Sequence, residues 1–129
     1  MNIEEYIRKN FNANKVQPIT QNGQVVGYYA QNSSTRNEIY IPANIVNNQN
    51  VGMVSYIPGS GGSGNDARVL RETIQNNPPN YIISIAAECG DRNNCIQTGL
   101  QMAQGLNANV NRNATVCFSA SGFVGLNRN

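Results

Sequence analysis

Three apolar runs set the frame for this chain. Val51-Gly52-Met53-Val54-Ser55-Tyr56-Ile57, Tyr81-Ile82-Ile83-Ser84-Ile85-Ala86 and Ala114-Thr115-Val116-Cys117-Phe118 are of strand length and carry no charge. A strand that is apolar along both faces must be covered on both, which is the situation of a buried, parallel strand. The stretches between them are long enough for helices. One is expected near residues 67 to 76, with Asn65 or Asp66 as its N-cap and Asn77-Pro78-Pro79 as its stop. Another is expected from about Asn93 to Leu106, with Ile96, Leu100 and Ala103 on one face. Strand, loop, helix, strand, helix, strand predicts an α/β fold, a mainly parallel sheet with right-handed crossovers.

The first part of the chain reads differently. Residues 2 to 10 place Ile3, Tyr6 and Ile7 at helical spacing. Asn22-Gly23 is a hairpin signal, and the strand Gln24 to Ala30 follows it. Glu38-Ile39-Tyr40-Ile41, ended by Pro42, pairs with that strand across the polar turn Asn32 to Arg36. This antiparallel hairpin would extend the parallel sheet on one edge. The whole, 129 residues, suits a single domain.

Composition removes several classes of function. The net charge is +2 and the nine basic residues are scattered, so there is no basic stripe for nucleic acid. No run approaches the ~18 apolar residues of a membrane span. Met-Asn-Ile-Glu-Glu-Tyr has neither the basic start nor the apolar run of a signal peptide, so the chain reads as cytoplasmic. There is no His, and Cys89, Cys95 and Cys117 form no Cys-x-x-Cys pair, which argues against a zinc site. Cys89 and Cys95 lie close enough to close a small loop, but an odd count argues against a disulfide framework. Amide runs such as Asn47-Asn48-Gln49-Asn50 read as loop and helix surface. No cofactor is called for.

Two motifs carry candidate chemistry. Pro58-Gly59-Ser60-Gly61-Gly62-Ser63-Gly64-Asn65-Asp66 directly follows a buried strand. Its glycines allow successive amide N–H groups to converge on one anion, a phosphate or the oxyanion of an acyl intermediate. The plain alternative is a surface loop. Taken literally, Gly59-x-Gly61-x-x-Gly64 also matches a dinucleotide fingerprint, with Glu88 placed for a ribose. The second motif is Cys117-Phe118-Ser119-Ala120-Ser121-Gly122 at the end of the third run. A serine on a sharp strand-to-helix turn between small neighbours presents its hydroxyl as a nucleophile. Ser119 fits that position better than Ser121, which would set bulky Phe123 where a small residue is needed. Alternatively, Ser119 simply ends a core strand.

In order and spacing the two motifs resemble the α/β-hydrolase superfamily. Pro58-Gly59-Ser60-Gly61-Gly62 is similar to the His-Gly-Gly-Gly-type loop of esterases and lipases, with Pro58 in place of the His. Phe118-Ser119-Ala120-Ser121-Gly122 resembles the Phe-Ser-Ala-Gly-Gly elbow of polyhydroxybutyrate-depolymerase-like esterases. The resemblance covers nearly the whole chain, but only as the N-terminal half of that fold, truncated after the nucleophile elbow. It implies an ester or amide substrate, Ser119 as nucleophile, and an oxyanion hole from the N–H groups of Ser60 and Ala120, with Gly59, Gly61 and Gly62 shaping the loop. The family's acid and His follow its elbow. Here Asp66, Glu88 and Asp91 all precede it, so the chain alone is expected to be inactive. The rival expectation is a non-catalytic binding or assembly domain, self-associating through an open edge of the third strand.

Overall fold

The computed structural model of the chain describes residues 2–59, 65–119 and 122–128. Ten main elements occur in the order α1 (Ile3–Asn10), β1 (Val16–Gln21), β2 (Gln24–Gln31), β3 (Glu38–Pro42), β4 (Val51–Ile57), α2 (Asn65–Asn76), β5 (Ile82–Ile85), α3 (Arg92–Gly105), β6 (Val110–Ser119) and β7 (Gly122–Arg128). All seven strands belong to one sheet, ordered β1-β2-β3-β5-β4-β6-β7.

The three apolar runs lie together as expected, with β4 between β5 and β6 and parallel to both. The chain leaves β4 towards one side through α2 and returns to its other side through α3. Crossovers of one hand then need the two helices on opposite faces. That is the arrangement found. Ile74 of α2 packs with Tyr40, Tyr56, Ile83 and Ile85. Met102, Ala103 and Leu106, in and just after α3, pack on the other face with Ile39, Met53 and Ile82. Helix α1 joins this second cluster through Ile7, while Asn2 caps its first turn by accepting from Glu5 N–H.

The sheet as a whole corrects the sequence reading. A mainly parallel, α/β-hydrolase-like sheet truncated after the nucleophile elbow is not what the chain forms. Only β4–β5 and β4–β6 are parallel, whereas β1–β2, β2–β3, β3–β5 and β6–β7 are antiparallel. The sheet is mixed, with hairpins at both ends. The physical reason is turn chemistry. Asn22 (φ 53) and Gly23 (φ 78) form a two-residue loop whose positive dihedrals match the twist of paired strands. They link β2 to β1, a strand hidden in the sequence because only Val16 and Ile19 of its residues are buried and Pro18 interrupts it. At the far end β7 pairs with β6 from Ala114 to Ser119, so β6 is not an open edge. The edges of the sheet are β1 and β7.

Two local features explain residues that composition alone left unexplained. Gly27 sits beneath the fully buried Tyr40, and a Cβ there would fall 2.1 Å from the Tyr40 hydroxyl oxygen. The asparagine run is a clasp. Asn107 donates to Asn47 Oδ1 (2.8 Å), Gln49 Nε2 donates to the Asn107 carbonyl (3.1 Å), and Asn111 donates to Asn50 Oδ1 (2.5 Å). The backbone joins in through Asn109 N–H to the Asn48 carbonyl (2.9 Å). These bonds tie the loop entering β4 to the start of β6; the pairing skips one residue of β6 between Val51 and Gly52 and is regular from there to Ile57.

Asn47 (φ 61) and Asn107 (φ 58) both hold the left-handed conformation. Only Gly and, less readily, Asn adopt it without penalty, and other residues lose about 1–2 kcal/mol there. Asn107→Ala is therefore expected to destabilise the chain by about that amount plus the lost amide bond. Asn107→Gly should lose less. Urea unfolding of the three proteins checks the order.

Candidate functional site

Register brings the working residues to one end of the sheet. Ile57 lies opposite Cys117, and Tyr56 opposite both Val116 and Ile85. The carboxyl ends of β4, β5 and β6 are therefore level. Pro58-Gly59, Ala86-Ala87 and Ser119 leave the sheet side by side. Because the chain leaves β4 over one face of the sheet through α2 and leaves β5 over the other through α3, this edge is a topological switch point, the place where sheets of this type form a ligand crevice. The antiparallel strand β3 starts at the same edge, with Glu38 opposite Ile85.

Glu38 was not marked by the sequence reading, yet it organises the edge. It is 3 % exposed. Arg71 of α2 holds it bidentately, Nε donating to Oε1 at 2.7 Å and Nη2 to Oε2 at 3.0 Å. The Tyr29 hydroxyl of β2 donates to Oε1 as well. Paired N–H donors of a planar guanidinium match a carboxylate in both charge and shape. The carboxylate in turn keeps the Arg71 guanidinium protonated more firmly than usual. Burial, followed by the bond to Glu38, pushes the Tyr29 hydroxyl well above its ordinary value. One buried group thus ties β2, β3 and α2 together where the glycine-rich loop begins and ends.

Asn37 does the same for the loop after β5. It is buried, accepts from Ala87 N–H at 2.9 Å, and donates to Asp91 Oδ2 at 2.6 Å. Asp91 also accepts from Asn94 in the first turn of α3. A cleft of 230 Å³ opens between these supports, lined by Arg36, Glu38, Tyr56, Pro58, Arg71 and Ala87 among others. A cue for Glu38 and Asn37 existed in the sequence: two polar residues lead directly into the apolar Ile39-Tyr40-Ile41. Their role could not be read without knowing that α2 crosses above them.

Of the residues singled out by sequence, Gly59 is described at the mouth of its loop, and Ser119 ends β6. Ser60, Gly61, Gly62, Ala120 and Ser121 lie outside the described residues. The backbone of Ser119 is opposite Gly122, so the path there runs from strand to strand, whereas an elbow runs from strand to helix. Asn65 and Asp66 fall within α2. Glu88 is exposed just before a short 3-10 turn, Cys89–Asp91. Cys89 and Cys95 are both free thiols. Cys95 is buried beside Ser84, whose hydroxyl donates to the Cys95 carbonyl at 2.8 Å, and burial pushes its thiol up to about 11. Such a thiol is a core residue and not a nucleophile.

Among the described residues, no group of His, Cys, Asp and Glu is placed to hold a metal, and no helix is long and apolar enough to cross a membrane. No family model, curated protein or solved structure matches the chain.

The Glu38–Arg71 pair gives a test of this edge. Arg71→Met keeps the side-chain stem and removes both donors. Arg71 is 45 % exposed, so its charge is partly screened, and the expected cost is about 1–3 kcal/mol, set mainly by the stranded carboxylate. Adding Glu38→Gln should recover part of that loss, because the amide can still accept from Tyr29. Chemical denaturation of the single and double variants measures the coupling.

Proposed function

We propose that the carboxyl edge of β4 and β6 is one half of an acyl-transfer site, serine-hydrolase in type and inactive without a base. One observation carries this reading: Ile57 and Cys117 are in register on adjacent parallel strands. The loop that begins at Pro58-Gly59 and the serine at the end of β6 therefore leave neighbouring strands at one edge. A nucleophile and a set of N–H donors have to be this close if they are to act on one carbonyl. In this reading Ser119 attacks the carbonyl carbon of an ester or amide, and its proton passes to a base. Backbone N–H groups of Ser60 and Ala120 receive the oxyanion. Residues 1–129 contain no His, so the base and its orienting acid come from elsewhere. A serine at the end of a strand that turns back as β7 is still presented at this edge. What it lacks is the helix N-terminus behind an elbow.

A second reading has support in β7. That strand covers β6 and is itself an edge of the sheet. A Gly-Phe-Val-Gly-Leu strand at an edge offers backbone N–H and C=O groups to another chain, as a binding or assembly domain would. At the opposite edge Pro18 of β1 works against such pairing.

Chemical rescue separates the two readings. With p-nitrophenyl acetate alone, the chain should not be acylated at Ser119. With imidazole added as an external base, peptide mapping by mass spectrometry should find one acetyl group on Ser119, absent from Ser119→Ala. Deacylation needs the same base, so the adduct should persist once the imidazole is removed. No acetyl at Ser119, or equal labelling of the variant on other residues, would remove the acyl-transfer reading.

A further inference from the structure

Beside the cleft at Pro58 lies a larger one of 640 Å³, formed by the start of β1, the end of β2 and the turn between β2 and β3. Both clefts are lined by Gln31 and Arg36 and so form one continuous surface. Their charges are unbalanced. Lys15, Arg36 and Arg71 line the pair, and among the described lining residues the only carboxylate is Glu38, already engaged by Arg71 and Tyr29. The side chains of Lys15 and Arg36 make no ion pair or hydrogen bond with any described residue.

Arg36 is also held in an unusual way. Its φ is 68°, the left-handed region that bulky residues avoid at a cost of about 1–2 kcal/mol. The turn around it is over-determined. Asn32 Oδ1 accepts from the N–H groups of Ser34 (2.8 Å) and Thr35 (2.9 Å). Asn32 Nδ2 donates to the Phe11 carbonyl (2.9 Å), and Asn32 N–H donates to the Asn37 carbonyl (2.8 Å). Arg36 N–H returns to the Asn32 carbonyl at 3.1 Å, and Ser33 N–H is bound by Asn12 at 2.9 Å. An arginine kept in a costly conformation on a rigid turn, with its guanidinium unsatisfied at a cleft, is a donor fork available to a ligand.

We propose that the joined clefts bind a small organic carboxylate, with Arg36 as the bidentate contact and Lys15 as the second cation. The same turn argues for carboxylate over phosphate. Phosphate sites collect converging backbone N–H groups, and here the N–H groups of Ser33, Ser34, Thr35 and Arg36 are all spent inside the protein. A planar carboxylate needs only the side-chain fork. Tyr29 in one cleft, with Pro58, Ala67 and Ala87 in the other, provides apolar surface for the body of the ligand. This site does not depend on the acyl-transfer reading, since none of its contacts involves Ser119.

The test is an amide NMR titration of the ¹⁵N-labelled chain with sodium succinate, sodium phosphate and sodium chloride at matched ionic strength. Succinate should produce saturable shifts confined to the residues lining the two clefts, 14–17, 29–38, 56–58, 67–71 and 85–87. Arg36→Gln should weaken binding by about tenfold or more, the loss expected for a charge-assisted pair. Arg36→Asn, which suits the positive φ and preserves the turn, should weaken it as much. Arg68→Gln, a change at an exposed ion pair on α2, should leave binding unchanged. Linear, non-saturating shifts, an equal response to phosphate or chloride, or unaltered succinate binding in a folded Arg36→Asn variant would each overturn the proposal.

Discussion

A carboxylate buried at the start of a strand has to be answered by a cation, or the strand cannot stay where it is. Glu38 begins β3 at the edge of the sheet where three parallel strands end, and Arg71 reaches it from α2. An isolated charge in such a place is costly, and removing one partner of a buried pair strands the other. The pair therefore fixes more than its own two side chains. It sets the position of α2 over Tyr40, Ile83 and Ile85, and hence the point to which the glycine-rich loop must return from β4. It also joins the N-terminal hairpin, through Tyr29, to the parallel core. Buried pairs are a poor source of net stability compared with apolar packing. Their value here is positional.

Other constraints act at the opposite end of the strands. The clasp of Asn47, Gln49, Asn50, Asn107 and Asn111 ties the starts of β4 and β6 together, and after one skipped residue of β6 the two run in register to Ile57 and Cys117. Gly27 lets Tyr40 lie flat against β2, and Tyr40 in turn fills the face under α2. Asn37 holds the loop after β5. A crevice at the carboxyl edge thus rests on polar groups that were each satisfied locally, while the apolar clusters on the two faces provide the cohesion.

The legible part of the fold was the part with strong local signals. The runs at 51–57, 81–86 and 114–118 announced strands because they are too short for a buried helix and rich in β-branched and aromatic residues. Asn22-Gly23 announced a hairpin because few other pairs accept two positive φ values. What escaped was non-local. β1 has two buried apolar positions three residues apart, Val16 packed on one face of the sheet and Ile19 on the other, and so lacks the alternation of a strand. The segment from Gly122 to Arg128 carries apolar residues that suit a strand or a short helix equally, and its pairing partner decides between them. A parallel majority was expected because the antiparallel pairs at both ends depend on those two strands. Glu38 was passed over for the same reason, since its partner lies 33 residues away. The candidate site was legible as an edge, with Gly59 and Ser119 at the ends of adjacent strands, but its buried supports and the free guanidinium of Arg36 were not.

The account depends on the carboxyl ends of β4, β5 and β6 meeting at one edge, and nuclear Overhauser contacts between backbone protons measure that directly. In a deuterated, amide-labelled sample the account predicts cross-strand contacts between the residues paired as Ile57 with Cys117 and Tyr56 with Ile85, with contacts between Glu38 and Ile85 closing the third side. Absence of the first set, or pairing of residues 110–119 with any strand other than β4 on that side, would separate Ser119 from the glycine-rich loop and contradict the account.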